Sequence, residues 1–375
     1  MSPRAMNAKA WKLAALLGVM AAWSARAQEV QPKTPFLLGA DISMAPKQEE
    51  QGVVYKDGGK GRDVFAIFHD RGATCVRLRL FVNPNGKGGV VNDTAYTIAL
   101  AKRVKAAGLL FSLDFHYSDT WADPAHQLTP AAWRDLSFPQ LVDKTRDYTA
   151  ETLKAFRDAG VAPDIVQIGN EITNGLLWPM GALGGKEVPE EVAFDRVAEL
   201  LKAGVEGVHL ALGDDSPVKI MIHIDGADAT GRVRWFFDNI TRRHVPFDMI
   251  GLSYYPSWGG GLEHVRETFA MAAKSYGKPM IIAETAYPFM DSAVWKGQRK
   301  SFAWPLTPEG QKQYLEDLIK LVKETPDWLG AGILYWYPES VPPKNTSERM
   351  WNNGEAAMFD HEGNALPVFE AMRNK

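Results

Sequence analysis

From Phe36 to the C-terminus, short apolar runs rich in β-branched residues alternate with longer stretches whose apolar positions recur at helical spacing. The runs predict eight strands: Phe36–Ile42, Thr74–Val82, Leu109–Phe115, Ile165–Gly169, Lys219–Ile224, Met249–Ser253, Pro279–Ala283 and Ala331–Trp336. The longer stretches predict helices at Arg62–Arg71, Ala95–Ala107, Leu141–Ala159, Glu190–Leu212, Arg232–Arg242, Leu262–Ser275, Glu309–Glu324 and Pro367–Met372. Within Glu309–Glu324, for example, Tyr314, Leu315, Leu318, Ile319 and Val322 share one face. Gly72, Gly108, Gly160 and Gly277 close helices before the next strand, where a left-handed cap favours glycine. Eight strand–helix units in about 340 residues predict a single (β/α)8 barrel with enlarged βα loops, spanning residues 28–375. The alternative is a doubly wound open sheet, which usually carries a Gly-rich phosphate loop after its first strand. Here that strand leads into Ala40-Asp41-Ile42-Ser43-Met44 instead. Long loops are expected at Gly52–Arg62, Gly181–Glu190, Phe289–Pro305 and Pro338–Glu355, and no linker or internal repeat divides the chain.

The first 27 residues break the pattern. Arg4, Lys9 and Lys12 precede the apolar run Leu13–Ala22, and Ala25-Arg26-Ala27 offers a small-residue cleavage site before Gln28. A run of 10 residues is too short for a bilayer that needs about 20, so a signal peptide over 1–27 is expected rather than an anchor. The formal charge of −3 becomes −7 once the four basic groups of that segment are removed. This acidity argues against nucleic acid and anionic membranes as partners. Cys75, the single cysteine, can form neither an intrachain disulfide nor a Cys-based zinc site. An exported, monomeric enzyme, periplasmic or secreted, is the expectation.

In a barrel the reactive groups stand at the carboxyl ends of the strands, and here those ends are polar and aromatic. The fourth strand runs into Asn170-Glu171 and the seventh into Glu284. These strands face each other across a barrel, and two carboxyls about 5–5.5 Å apart are what retaining glycoside hydrolysis requires. Glu171 would be the acid/base, with a raised pKa, and Glu284 the nucleophile. Arg77 and Arg79, two apart on the second strand, project to one side, and at least one is expected to hold Glu284 ionised. Asp114-Phe115-His116-Tyr117-Ser118-Asp119-Thr120-Trp121-Ala122-Asp123-Pro124 after the third strand looks like a sugar-binding wall. A metal site of Asp114, His116 and His223 is the rival reading, weakened by the absence of a His-x-His pair. Of 12 tryptophans, Trp121, Trp178, Trp258, Trp336 and Trp351 fall at or beyond strand ends, where stacking on sugars is a better account than core packing.

Asn170-Glu171 together with Glu284 resembles clan A of the glycoside hydrolases. The Asp114–Pro124 run, with Gly251-Leu252-Ser253-Tyr254-Tyr255-Pro256 and Ile282-Ala283-Glu284-Thr285-Ala286-Tyr287-Pro288, resembles glycoside hydrolase family 53, the arabinogalactan endo-β-1,4-galactanases. The likeness extends from Leu38 to Pro367. It implies retaining endo-hydrolysis of the β-1,4-galactan side chains of pectin, with Arg77, His116, Asn170 and Tyr254 shaping the subsite at the scissile bond and Trp336 as aromatic floor. Asp41, Asp114, Trp121, Asp123, His223 and Tyr287 complete the expected substrate-binding set. Tyr337 departs from the family's Tyr-Trp-Glu-Pro, which bears on subsite detail rather than on the reaction. Some relatives hold a structural calcium in a late loop. Asp291, Asn345 and Asp360 carry suitable oxygens but lack a ligand spacing, so no metal or cofactor is expected to be required. Competing readings are a clan A enzyme acting on mannan or xylan, and a non-catalytic polysaccharide-binding barrel, against which both retained glutamates speak.

Overall fold

Eight parallel strands close into a barrel in the computed structural model, which describes residues 35–343 and 350–373. The expected signal peptide and Asn345 lie outside the described residues. The strands are β1 (Leu37–Asp41), β2 (Cys75–Leu80), β3 (Leu110–Phe115), β4 (Ile165–Ile168), β5 (Lys219–Ile224), β6 (Met249–Ser253), β7 (Met280–Thr285) and β8 (Gly330–Trp336). Each pairs with its successor, and β8 returns to β1 with Asp41 opposite Trp336. Seven crossover helices follow the strands in turn: α1 (Val64–Asp70), α2 (Thr94–Ala106), α3 (Phe138–Asp158), α4 (Glu190–Leu212), α5 (Thr230–Arg242), α6 (Leu262–Tyr276) and α7 (Pro308–Lys323). After β8 the segment Pro367–Met372 forms a 3₁₀ helix against α7 in place of the expected α-helix.

Local chemistry sets the helix boundaries. Asp63 accepts from the N–H groups of Phe65 and Ala66 at the start of α1, and Thr307 accepts from Gly310 ahead of Pro308 in α7. Gly277 ends α6 in the left-handed region at φ 59°. The hydrophobic pattern gives no sign of a six-residue helix at Ala45–Glu50, where only Ala45 and Gln48 are buried, nor of the ribbon pairing Lys56–Asp57 with Lys60–Gly61.

The barrel interior is layered. Its amino-terminal end is filled by Leu37, Cys75, Ile165, Met221, Met249, Ile281, Ala283, Ala331 and Leu334, a dry plug separate from the larger core between strands and helices. One layer further up, the inward positions become Asp41, Arg77, Asp114, Gln167 and His223, all fully buried. Period-2 alternation carries each strand from one layer into the other. The functional site stands on that second layer.

Candidate active site

Arg77 is the hub. It has no exposed surface, so each of its N–H groups must be met inside the protein. Nε donates to Gln167 Oε1 at 3.0 Å, Nη1 to Asp41 Oδ2 at 3.2 Å, and Nη2 to Asp114 Oδ2 at 2.8 Å and Asn170 Oδ1 at 2.7 Å. Glu284 Oε1 lies 2.9 Å from Nη1. Arg79, the second inward arginine, takes another path. It pairs with Asp41 Oδ1 at 3.1 Å, and its guanidinium lies 4.6 Å from the Trp121 ring centroid and 5.2 Å from those of Trp336 and Tyr337.

Two local backbone features present the carboxylates. Gly169 at φ 83° and Glu171 at φ 47° turn the chain sharply at the end of β4, so that Asn170 and Glu171 both reach the site. A left-handed glutamate is uncommon, and such conformations concentrate at functional sites. On β7 the register with β6 shifts between Leu252/Ile282 and Ser253/Glu284. Ala283, in the plug, and Glu284, beside Arg77, therefore both face inward although adjacent in sequence. This is the re-aiming that a bulge provides.

The two carboxyls are treated differently. Burial and the neighbouring charge of Glu284 hold Glu171 well above the usual carboxylate range, against a hydrogen bond from Ser253. Burial also raises Glu284, to about 7, but Arg77 and the hydroxyl of Tyr255 oppose it, the latter donating to Oε2 at 3.0 Å. With the cation on Glu284, the shared charge rests there and the proton on Glu171.

The supporting side chains are tightly engaged. Asn170 Nδ2 donates to Ala122 O at 2.7 Å. His116 Nδ1 accepts from Ala122 N–H at 3.0 Å, which leaves the proton on Nε2, 3.0 Å from Asp114 Oδ2. His223 lies between Asn170 Oδ1 at 3.1 Å and Ser253 Oγ at 2.9 Å, and burial together with Arg77 pushes its pKa well below normal, so it is neutral. Asp114, His116 and His223 thus belong to the Arg77 network. Among the described residues, no group of three or more His, Cys, Asp or Glu is arranged to hold a metal ion. Asp291 pairs with Arg299 at 2.7 Å, and Asp360 accepts from the N–H groups of Glu362 and Asn364.

A cleft of about 740 Å³ opens above this layer, lined by Asn170, Glu171, Glu284, Trp121, Asp123 and Trp336 among the expected residues. Asp41, Arg77, Asp114, His116 and His223 lie beneath its surface, holding the groups that line it. Tyr254 and Tyr287 are placed elsewhere. Alternation on β6 sends Gly251, Ser253 and Tyr255 inward and Tyr254 outward, where its hydroxyl donates to Gly260 O at 2.8 Å. Tyr287 shares the parity of Thr285, whose hydroxyl bonds Tyr314 of α7, and its own hydroxyl bonds Trp304 O. Trp178 is also absent from the lining and donates to Asn174 O at 2.9 Å, whereas Trp258 and Trp351 do line the cleft. Gln167 and Tyr255 were missed as site residues by pattern reading, although inward parity marks both. Asp225, Asp228 and Arg232 also line the cleft; Asp225 follows the end of β5 directly, and no strand-end signal points to the other two.

Comparison with known proteins agrees with this geometry. The family model for glycosyl hydrolase family 53 matches residues 37–372. A Niallia circulans protein described as "Uncharacterized protein in bgaB 5'region" is 41% identical, over 90% of this chain and 93% of its own length. An arabinogalactan endo-beta-1,4-galactanase of Cellvibrio japonicus is 35% identical over 91% of each chain. Among solved structures, the Ignisphaera aggregans GH53 catalytic domain superposes with a TM-score of 0.82 at 32% identity, covering 91% of this chain and 97% of that one. With a closed barrel, two unequal carboxyls at strand ends and a family match that spans nearly every described residue, the chain belongs to glycosyl hydrolase family 53 and is a glycoside hydrolase.

Proposed function

We propose that the protein is an exported, monomeric, retaining endo-β-1,4-galactanase acting on the neutral galactan side chains of pectin. Relatives named arabinogalactan endo-beta-1,4-galactanase support the substrate, and an open cleft lined beyond the carboxyl pair by Trp121, Trp336, Arg232 and Trp258 supports cleavage within a chain. The observation that carries the reading is the unequal pair: Glu284 is held by Arg77 and Tyr255, whereas burial and the charge of Glu284 raise the pKa of Glu171.

The chemistry follows from that inequality. Glu171 delivers its proton to the glycosidic oxygen as Glu284 attacks the anomeric carbon; the carbon–oxygen bond breaks and a glycosyl ester forms. Glu284 Oε1 lies 2.9 Å from Arg77 Nη1, so the cation holds the attacking carboxylate ionised and in place. Once esterified, Glu284 no longer carries the charge that helped keep Glu171 protonated. Glu171 then takes a proton from water, which attacks the anomeric carbon and frees Glu284. Two carboxyls suffice for both steps, and no cofactor enters the reading.

The product profile on linear β-1,4-galactan tests it, with Glu284→Gln as control. Oligosaccharides of intermediate length with a retained β-anomer are expected, and no reducing ends from Glu284→Gln. Near-normal turnover by that variant, an inverted anomer, or faster cleavage of mannan or xylan would each overturn the part of the reading it addresses.

A further inference from the structure

The cleft is asymmetric about its two carboxyls. One wall is aromatic: Trp121 and Trp336 meet edge to face with centroids 6.0 Å apart, and Trp336 stacks on Tyr337. The other wall is polar and begins beside the proton donor. Thr173, two residues after Glu171, hydrogen-bonds to Asp225 Oδ1 and accepts from the Asp225 N–H at 3.0 Å. Arg232 Nη1 donates to Asp225 Oδ2 at 2.7 Å. Asp228 Oδ2 accepts from Gly260 N–H and, with Tyr254, fastens the loop that carries Trp258. Trp258 is 66% exposed, its ring 5.3 Å from that of Tyr255.

Two features of this wall are unexplained by packing. An indole that exposed gains little from burial. The Arg232 side chain is 48% exposed, and among the described residues only its Nη1 has a protein acceptor, so Nε and Nη2 remain as donors. The chemistry of the reaction says which half of a substrate they meet. A general acid stands beside the oxygen that leaves, whereas a nucleophile stands beside the carbon that stays. Arg77 and Tyr255 hold Glu284, whereas the Thr173–Asp225–Arg232 chain starts from the Glu171 turn, and Asp228 of the same loop ties the Trp258 loop to it through Gly260.

We propose that Arg232 and Trp258 form the binding site for the leaving half of a polymeric substrate, Arg232 donating to sugar hydroxyls and Trp258 stacking on a ring face further out. Its ligand is a neutral β-linked hexose chain, because Asp225 already balances the arginine charge. This assignment rests on the galactanase reading above. It makes Asp225 and Asp228 positioning residues and gives the reaction a preference for substrates with several sugars beyond the cleaved bond.

The test compares two substrates of one enzyme: linear β-1,4-galacto-oligosaccharides, and a nitrophenyl β-1,4-galactobioside whose leaving group needs no sugar site. Arg232→Ala and Trp258→Ala are each expected to lower the ratio of kcat/KM on the oligosaccharide to that on the nitrophenyl glycoside by about tenfold, as for loss of a charged hydrogen bond or a stacked ring. Arg232→Lys and Trp258→Phe should recover part of it. The dividing line is threefold: a smaller shift in both alanine variants overturns the assignment. A general folding defect lowers both substrates together and leaves the ratio in place. Wild-type enzyme that cleaves neither substrate would instead overturn the galactanase reading.

Discussion

The two ends of the barrel interior are built from the same strands and do opposite work. At the amino-terminal end Cys75, Ile165, Met221, Met249 and Leu334 pack into an apolar plug. Two residues along the same strands, Arg77, Gln167 and His223 occupy the next inward positions, and the filling becomes polar. The plug stabilises through area removed from water and close packing. The polar layer places three carboxylates, Asp41, Asp114 and Glu284, around the Arg77 guanidinium. Burying such groups costs free energy that an apolar filling of equal volume would avoid. The difference shows where this chain gives up stability for function: the network fixes the charge on Glu284 and keeps the proton on Glu171.

The sharpest way to break the contrast is to remove the hub. Arg77→Met roughly keeps volume but strands Asp114 and Glu284 as buried carboxyls without their cation, while Asp41 keeps Arg79. Activity is expected to be lost, with unfolding free energy reduced by about 3–5 kcal/mol in a denaturant titration. An active Arg77→Met enzyme would mean that the network does not set the charge on Glu284.

The matching change in the plug should separate the two roles. Met249→Ala removes a buried side chain on β6, at the end of the strand opposite Ser253. It is expected to cost about 2–5 kcal/mol of stability. Because the site stands on the other layer, kcat/KM at a temperature where the variant is folded should stay within about twofold of wild type. A large loss of activity in the folded variant would show that the layers are coupled.

How far these layers can be read from sequence depends on whether the backbone stays regular. Where it does, alternation is sufficient: Arg77 from Cys75, Asp114 from Ser112, and Tyr255 from Ser253 and Gly251. Choosing Tyr254 over Tyr255 as a site residue ignores that parity, whereas Tyr287 has the parity of Ile281 and is turned outward by the bulge at Ala283. Where the backbone departs from regularity, parity misleads. Strict alternation from Ile281 would turn Glu284 outward, and only the bulge at Ala283 brings it in. Its identification from sequence therefore rested on position at a strand end and on family likeness. Asp225, directly after β5 and of the parity of His223, was legible by the same rule, whereas Asp228 and Arg232 had no signal, because they sit in the β5–α5 loop and first helical turn with ordinary surface composition. Their placement depends on tertiary contacts such as Asp228 with Gly260.

A finer test lies within the polar layer, at the hydroxyl of Tyr255. That O–H donates to Glu284 Oε2 at 3.0 Å and so favours the ionised carboxylate, whereas burial favours the neutral one. Tyr255→Phe keeps the ring against Trp258 and Trp351 and deletes only the donor. Glu284 then holds its proton to higher pH, and catalysis requires it unprotonated. The acid limb of the kcat/KM profile should move upward by about one pH unit, the value of a modest hydrogen bond to a charged group. The alkaline limb, set by loss of the Glu171 proton, should move much less, since the charge of Glu284 at high pH is the same in both enzymes. Activity therefore falls most below the wild-type optimum and recovers above it. A uniform drop at every pH, with both limbs unmoved, would assign Tyr255 to substrate contact alone and leave Arg77 as the main support for the charge on Glu284.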